Sequence, residues 1–135
     1  MECDAVWRWA GSGTNTKMLQ RHRHAMNPQR YRDNGELRYS MRSFAAVRGI
    51  RLFHIIAREA PDWLNLTHPR IRWWSEQKIV SRVCAMHNFS CQRGFAHTSE
   101  PTKLAAAALP ELAERFIFID DDYVWRARRE PTPKG

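Results

Sequence analysis

Four side chains of the metal-ligand type lie close together in the sequence. Cys84, His87, Cys91 and His97 form a C-x2-H-x3-C-x5-H arrangement, and thiolates and imidazoles are ligands of tetrahedral zinc. On one continuous helix, Cys84 and Cys91 would lie about 10.5 Å apart along the axis, too far for two zinc–sulfur bonds of about 2.3 Å. We therefore predict a zinc site only if the helix ends near residues 88–90. The alternatives are a disulfide, which needs a similarly short separation, or two buried cysteines and two ordinary histidines.

Arginine makes up 18 of the 22 basic residues. Its guanidinium group binds phosphate through two parallel hydrogen bonds and stacks on flat rings, which favours an RNA partner. Arginines interleaved with tryptophans can also hold unpaired bases. The predicted RNA-binding residues are Arg21, Arg23, Arg30, Arg32, Arg38, Arg42, Arg70, Arg72, Trp73, Trp74, Arg82 and Arg93. The alternatives are a solvated tail, an amphipathic helix whose arginine stems cover a tryptophan, and the codon bias of a GC-rich genome.

Three consecutive carboxylates, Asp120 to Asp122, follow the apolar run Phe116–Ile119. Carboxylates after a strand can bind Mg²⁺. Adjacent side chains seldom point at one ion, however, and the sequence places no partner acid or base. We therefore interpret this segment as a solvated acidic turn, or as a salt-bridge partner of nearby arginines.

The composition is that of one polar domain. The chain has 135 residues, a net charge of +8 and a mean hydropathy of −0.63, and no apolar stretch approaches the ~20 residues of a membrane-spanning helix. Three cysteines are too few for a secreted disulfide scaffold, and the first residues lack the apolar region of a signal peptide. A reducing compartment is the default. Residues 41–58 are arginine-rich and acid-free like a matrix-targeting segment, so we predict a mitochondrial location and otherwise a cytoplasmic one.

The elements that must position these residues are predicted to be mainly α-helical. Apolar spacing predicts helices over residues 41–60, 70–87 and 102–116, with Phe116–Ile119 as a buried strand or a helix end. The predicted organisation is an extended basic arm over 1–40, a small helical core over 41–119, and an acidic turn with a proline-containing tail over 120–135.

These features together predict a structural protein and not an enzyme, since no nucleophile or acid–base motif is evident. Residues 1–60 carry 11 basic and 5 acidic side chains, an imbalance typical of polyanion partners. We predict an RNA-binding ribosomal subunit, with a mitochondrial ribosomal protein as one form of this prediction, that contacts rRNA phosphates and neighbouring subunits. We predict no cofactor, with zinc as the alternative. The alternatives are an accessory subunit of a respiratory or other membrane-associated complex, and a small zinc-dependent nucleic-acid-binding module.

Overall fold

A four-stranded parallel β-sheet forms the centre of the computed structural model, which describes residues 2–11, 34–88 and 99–126. The strands are β1 (Cys3–Trp9), β2 (Ile50–Ala57), β3 (Ile71–Ser75) and β4 (Phe116–Asp120). The helices are α1 (Glu36–Ala45), α2 (Glu76–Met86) and α3 (Ser99–Ala106). The strand order is β3-β2-β1-β4, so the first strand of the chain lies in the interior of the sheet between β2 and β4.

Helices cover both faces of the sheet, which is why β1 and β2 are almost continuously buried and why their sequences are apolar without a clear alternation. On one face, Leu37, Met41 and Phe44 of α1 pack on Ala5, Trp7, Phe53 and Ile55. On the other face, α2 and α3 pack Ile79, Val80, Cys84, Ala105 and Ala106 on Val6 and Ile56. Trp7 is the largest fully buried side chain; its ring stacks on Phe53 at a centroid distance of 5.6 Å, and its indole N–H donates to the Ser40 hydroxyl.

A buried carboxylate joins β1 to its neighbours. Asp4 has no solvent exposure and accepts hydrogen bonds from the Arg51 guanidinium, from the backbone N–H groups of Leu52 and Ala113, and from the His54 ring at 3.0 Å. Burial alone raises the pKa of Asp4, but the bonds from Arg51, Ala113 and His54 outweigh it and lower this pKa to about 2. The network therefore fixes the start of β1 against β2 and against the segment before β4.

The tautomer of His54 follows from its second partner. The Trp74 indole N–H, which can only donate, lies 2.9 Å from Nδ1 of His54. Nδ1 must therefore accept, and the ring proton is on Nε2, where it is donated to Asp4. Burial lowers the pKa of His54, although Asp4 opposes this shift. A neutral histidine thus connects β1, β2 and β3.

The prediction of a mainly α-helical fold is wrong, because two of the three predicted helices contain a whole strand. The interval 41–60 holds the end of α1 and all of β2, and the interval 70–87 holds β3 followed by α2. The third, 102–116, holds only the end of α3, and Phe116 begins β4. Residues 3–9, which the sequence analysis placed in an extended arm, form the interior strand β1. In the described ranges, no helix is both long and apolar enough to span a bilayer.

Candidate functional site

The carboxyl ends of all four strands meet at one edge of the sheet, because every strand pair is parallel. The register places Trp9 beside Ala57, Ala57 beside Ser75, and Arg8 beside Asp120. β2 and β3 lie on one side of β1 in the sheet. The chain then crosses over, and β4 pairs with the other side of β1. In open α/β sheets, ligands bind outside the carboxyl ends of the strands where the strand order reverses. Here that position lies between the ends of β1 and β4.

Three consecutive aspartates, Asp120 to Asp122, lie at this position, where β4 ends. The backbone turns tightly there, with the Tyr123 N–H donating to the Asp120 carbonyl at 3.1 Å. Burial raises the pKa of Asp121, and the negative charges of Asp122, Glu36 and Asp120 raise it further. Glu36 is the first residue of α1, so the amino end of that helix shares the edge with the aspartates. The result is a carboxyl group that holds a proton more tightly than a solvated one.

Cationic side chains flank the first of these carboxylates on two sides. Asp120 and Lys103 line a cavity of about 250 Å³ against the phenylalanines of β4. Asp120 and Arg126 line another, of about 460 Å³, that opens along the free edge of β4. The site thus combines carboxylates with positive charges that can balance an anionic ligand.

Beside this site, a buried ion pair holds the helices to the same edge. Glu76, the first residue of α2, is 3% exposed and accepts from Arg8 at 2.8 Å and from the Thr102 hydroxyl at 2.9 Å. Arg58, just after β2, lies 3.9 Å from its other oxygen. Glu76 therefore ties α2, α3 and two strand ends together next to Asp120.

Two of the described arginines among the predicted RNA-binding residues, Arg70 and Arg72, have intramolecular partners. Arg72 pairs with Glu111 at 2.9 Å. Arg70 donates to the carbonyls of Ile50 and Arg51 and lies over the Phe53 ring, 4.9 Å from its centroid. Trp73 packs on the face covered by α1, whereas Trp74 packs on the opposite face. Arg82 lies on α2 and is exposed.

One subset does come together. Arg38 and Arg42, exposed on α1, and Arg70 line a cavity of about 330 Å³ with His68 and the partly buried Trp63. This cavity lies between α1 and the segment that leads into β3, on the opposite side of the sheet from β4. The remaining predicted RNA-binding residues, Arg21, Arg23, Arg30, Arg32 and Arg93, lie outside the described residues.

The zinc cluster is described only in part. Cys84 is buried on α2 and is disulfide-bonded, so its sulfur is not a free thiolate, and His87 is exposed at the end of the helix. Cys91 and His97 lie outside the described residues, and the cluster stays a prediction. Over 2–11, 34–88 and 99–126, no group of three or more His, Cys, Asp or Glu side chains is arranged to hold a metal ion.

Sequence reasoning missed the importance of the aspartates after β4. It recognised the carboxylates and the apolar run before them, but it had no strand order with which to place that run. The available signal was the combination of a short apolar run with polar residues directly after it, which marks the carboxyl end of a buried strand. In the structure, the aspartates at the end of β4 lie beside the carboxyl end of β1, at Trp9 and Gly11. This proximity makes the aspartates a candidate site.

Comparisons with known proteins identify the family of this chain. The family model of Stealth protein CR2, conserved region 2, matches residues 30–133. An exopolysaccharide phosphotransferase of Streptomyces coelicolor is 33% identical over 143 residues, covering 97% of this chain and 22% of the relative. The N-acetylglucosamine-1-phosphotransferase subunits alpha/beta of Mus musculus are 30% identical over 104 residues, covering 74% of this chain and 8% of the relative. The chain thus spans about a fifth or less of the length of these relatives.

These similarities overturn the functional predictions. The prediction of an RNA-binding ribosomal protein with rRNA and ribosomal subunits as partners is wrong, and so is the prediction of a non-enzymatic role, because the relatives are named phosphotransferases. The alternatives of a respiratory accessory subunit and of a zinc-dependent nucleic-acid-binding module fail for the same reason. The physical error was to take the arginine content as a sign of RNA binding. Arg8 and Arg51, outside the predicted RNA-binding set, neutralise buried carboxylates, and Arg72, within that set, pairs with Glu111.

Proposed function

This chain belongs to the Stealth protein family through its conserved region 2, and from that membership we propose that it is part of an enzyme that transfers a sugar phosphate to a hydroxyl acceptor. The observation that carries the proposal is the position of Asp120 to Asp122 at the carboxyl end of β4, beside the end of β1. The relatives' names supply the reaction class, and this edge of the sheet is where such a fold binds its ligand.

The chemistry requires an activated donor. A sugar 1-phosphate can move to a hydroxyl group from a phosphoanhydride such as a nucleoside diphosphate sugar. The acceptor oxygen attacks the phosphorus that carries the sugar, the new P–O bond forms, and the anhydride P–O bond breaks. The nucleoside monophosphate leaves with the electron pair of that bond, and the hydroxyl proton passes to a base.

We assign the base to Asp121. Its pKa is raised by burial and by the neighbouring carboxylates, and a general base is most effective when its pKa approaches the working pH. Lys103 and Arg126, which line the two cavities beside Asp120, supply positive charge for the transferred phosphoryl group. In phosphoryl transfer such positioning and charge balance account for most of the catalysis.

The test follows the phosphorus atom. The purified chain is incubated with UDP-N-acetylglucosamine labelled with ³²P in the sugar-bound phosphate, and with methyl glycosides as acceptors. Transfer of the sugar phosphate moves the label to the glycoside, whereas simple glycosyl transfer leaves it in the nucleotide. We expect labelled glycoside, and an Asp121→Asn variant slower by roughly 10²–10⁴-fold, the usual contribution of a general base.

The matched control is Glu114→Gln, which removes an exposed carboxylate just before β4, at the opposite edge of the sheet. This variant should keep the transfer rate. Label retained in the nucleotide, or equal rates for the Asp121 and Glu114 variants, would contradict the proposal.

A further inference from the structure

The cavity along the free edge of β4 adjoins the proposed catalytic carboxylates. Its volume is about 460 Å³, within the ~300–1,000 Å³ range of small-molecule sites. The lining residues are mostly apolar and aromatic, with one aspartate and one arginine among them. They consist of Phe44, Ile117 to Asp120, and Tyr123 to Arg126.

The aromatic wall is exposed but anchored. Trp125 is 52% exposed and Tyr123 is 64% exposed. The Trp125 backbone N–H nevertheless donates to the Ser43 hydroxyl at 2.8 Å, and its ring packs on Phe44 at a centroid distance of 5.9 Å. The segment after β4 is thus attached to α1 at Trp125, whose ring is packed on Phe44. Exposed apolar side chains grouped around a cavity mark binding sites.

The combination of groups fits one class of ligand. A pyranose ring has an apolar face of C–H groups and a polar rim of hydroxyl groups, so it can pack on an aromatic ring while a carboxylate accepts hydrogen bonds from its rim. A phosphate on the same ring needs a cation, and a guanidinium group can bind phosphate through two parallel hydrogen bonds. Trp125, Asp120 and Arg126 supply these three functions around one cavity.

We propose that this cavity binds the glycosyl phosphate part of the substrate, with the sugar ring against Trp125 and the phosphate at Arg126. The inference rests on the proposed function, because it takes the substrate class from it. To the proposed function, this inference adds the residues that select the sugar. These residues lie next to the assigned base, Asp121, but are separate from it. Binding here brings the phosphate to the end of β4.

The test measures binding without turnover. N-Acetylglucosamine 1-phosphate is titrated into the purified chain and its variants by isothermal calorimetry. We expect Trp125→Ala to weaken binding by roughly tenfold or more, the loss of one good contact, and Trp125→Phe to weaken it less. Arg126→Gln should weaken binding of the sugar phosphate but not that of unphosphorylated N-acetylglucosamine.

The control is Leu66→Ala, which truncates another exposed apolar side chain in the segment before β3. It should bind the sugar phosphate like the original chain, and circular dichroism checks that every variant folds. An original chain that binds no sugar phosphate would overturn the proposal, as would a Trp125→Ala variant that binds it equally well. Either result would show that this apolar edge serves another contact.

The two proposals fail separately. If ³²P transfer occurs but Trp125→Ala leaves the KM for the donor unchanged, the sugar subsite is wrong and the transfer function stands. If Trp125→Ala weakens binding but no label reaches an acceptor, the subsite stands as a sugar-phosphate site and the transfer function fails.

Discussion

At the scale of residues, two aspartates of this protein have opposite electrostatic surroundings. Asp4 is surrounded by donors, and its pKa is lowered to about 2. Asp121 is surrounded by other carboxylates as well as buried, and its pKa is raised. The first carboxylate holds strands together and stays ionised, whereas the second is suited to exchange a proton. Both are aspartates in or next to a strand, and only their neighbours distinguish them.

The buried His54 gives the folded protein a definite pH dependence. Burial lowers its pKa from the ordinary value of 6.5, so below pH 6.5 the unfolded chain binds the proton more readily than the folded one. The free energy of unfolding should therefore fall as the pH drops from 7.5 to 5.5, by up to about 1.4 kcal/mol per pH unit for one proton. Asp4 does not contribute in this window, because its stabilising effect is lost only between pH 3.8 and about 2.

Urea unfolding at a series of pH values measures this slope, and His54→Gln should reduce it while His68→Gln, at an exposed position, should not. Nitrogen NMR provides an independent check, since the ring proton should reside on Nε2. An Nδ1-protonated ring, or an unchanged slope in the His54 variant, would show that the histidine does not connect the strands in this way.

At the scale of elements, the sequence predicted where the apolar segments lie better than it predicted whether each segment is a helix or a strand. Ile50–Ala57 is eight residues long and buried nearly throughout, and a short apolar run of this kind cannot be assigned to helix or strand by periodicity alone. The sequence analysis joined it to the preceding helix across Gly49. In the structure α1 ends at Ala45, and Gly49, with a φ of 89°, directly precedes β2. Phe116–Ile119 was predicted as a buried strand or a helix end, and the structure has a strand there.

The edge site could not be predicted from these assignments. Asp120 is a candidate site residue because it lies beside Arg8, which is 112 positions earlier in the chain. A strand pairing between residues so far apart produces no local pattern in the sequence. Similarly, the apolar lining of β4 and the Ser43–Trp125 bond depend on how α1 packs across the sheet. The residue types were visible in the sequence, but their proximity was not.

The start of α1 depends on a left-handed residue. Gly35, the residue before the helix, has a φ of 81°, and an added Cβ would meet the Tyr39 ring only at an ordinary contact distance of 3.6 Å. The cost of Gly35→Ala is therefore conformational, and we expect it to lower the free energy of unfolding by about 1–2 kcal/mol. Gly35→Asn should cost less, because asparagine tolerates this region. Equal urea midpoints for the original chain and Gly35→Ala would contradict this assignment.

At the scale of the whole molecule, one covalent bond accompanies the packed layers. Cys84 is disulfide-bonded and Cys3 is free and partly buried. Disulfides persist mainly in oxidising environments, whereas the sequence analysis took a reducing compartment as the default; the location of the protein stays a prediction.

The disulfide should contribute measurably to stability. Reduction, or a Cys84→Ser substitution, is expected to lower the free energy of unfolding by about 2–4 kcal/mol, the typical contribution of such a bond. Urea unfolding with and without dithiothreitol tests this, and Cys3→Ser serves as the control that should respond to the reductant like the original chain. Identical midpoints in the presence and absence of reductant would show that the bond is not formed in solution.

The interior position of β1 also constrains how the protein can be made. Its carboxylate, Asp4, receives a hydrogen bond from a backbone group 109 positions later, and β1 pairs with β4 as well as with β2. Of the described strands, β1 leaves the ribosome first and β4 last. β1 can pair with β2 once residue 57 has emerged, but its other edge lacks its partner strand until residue 120 has emerged.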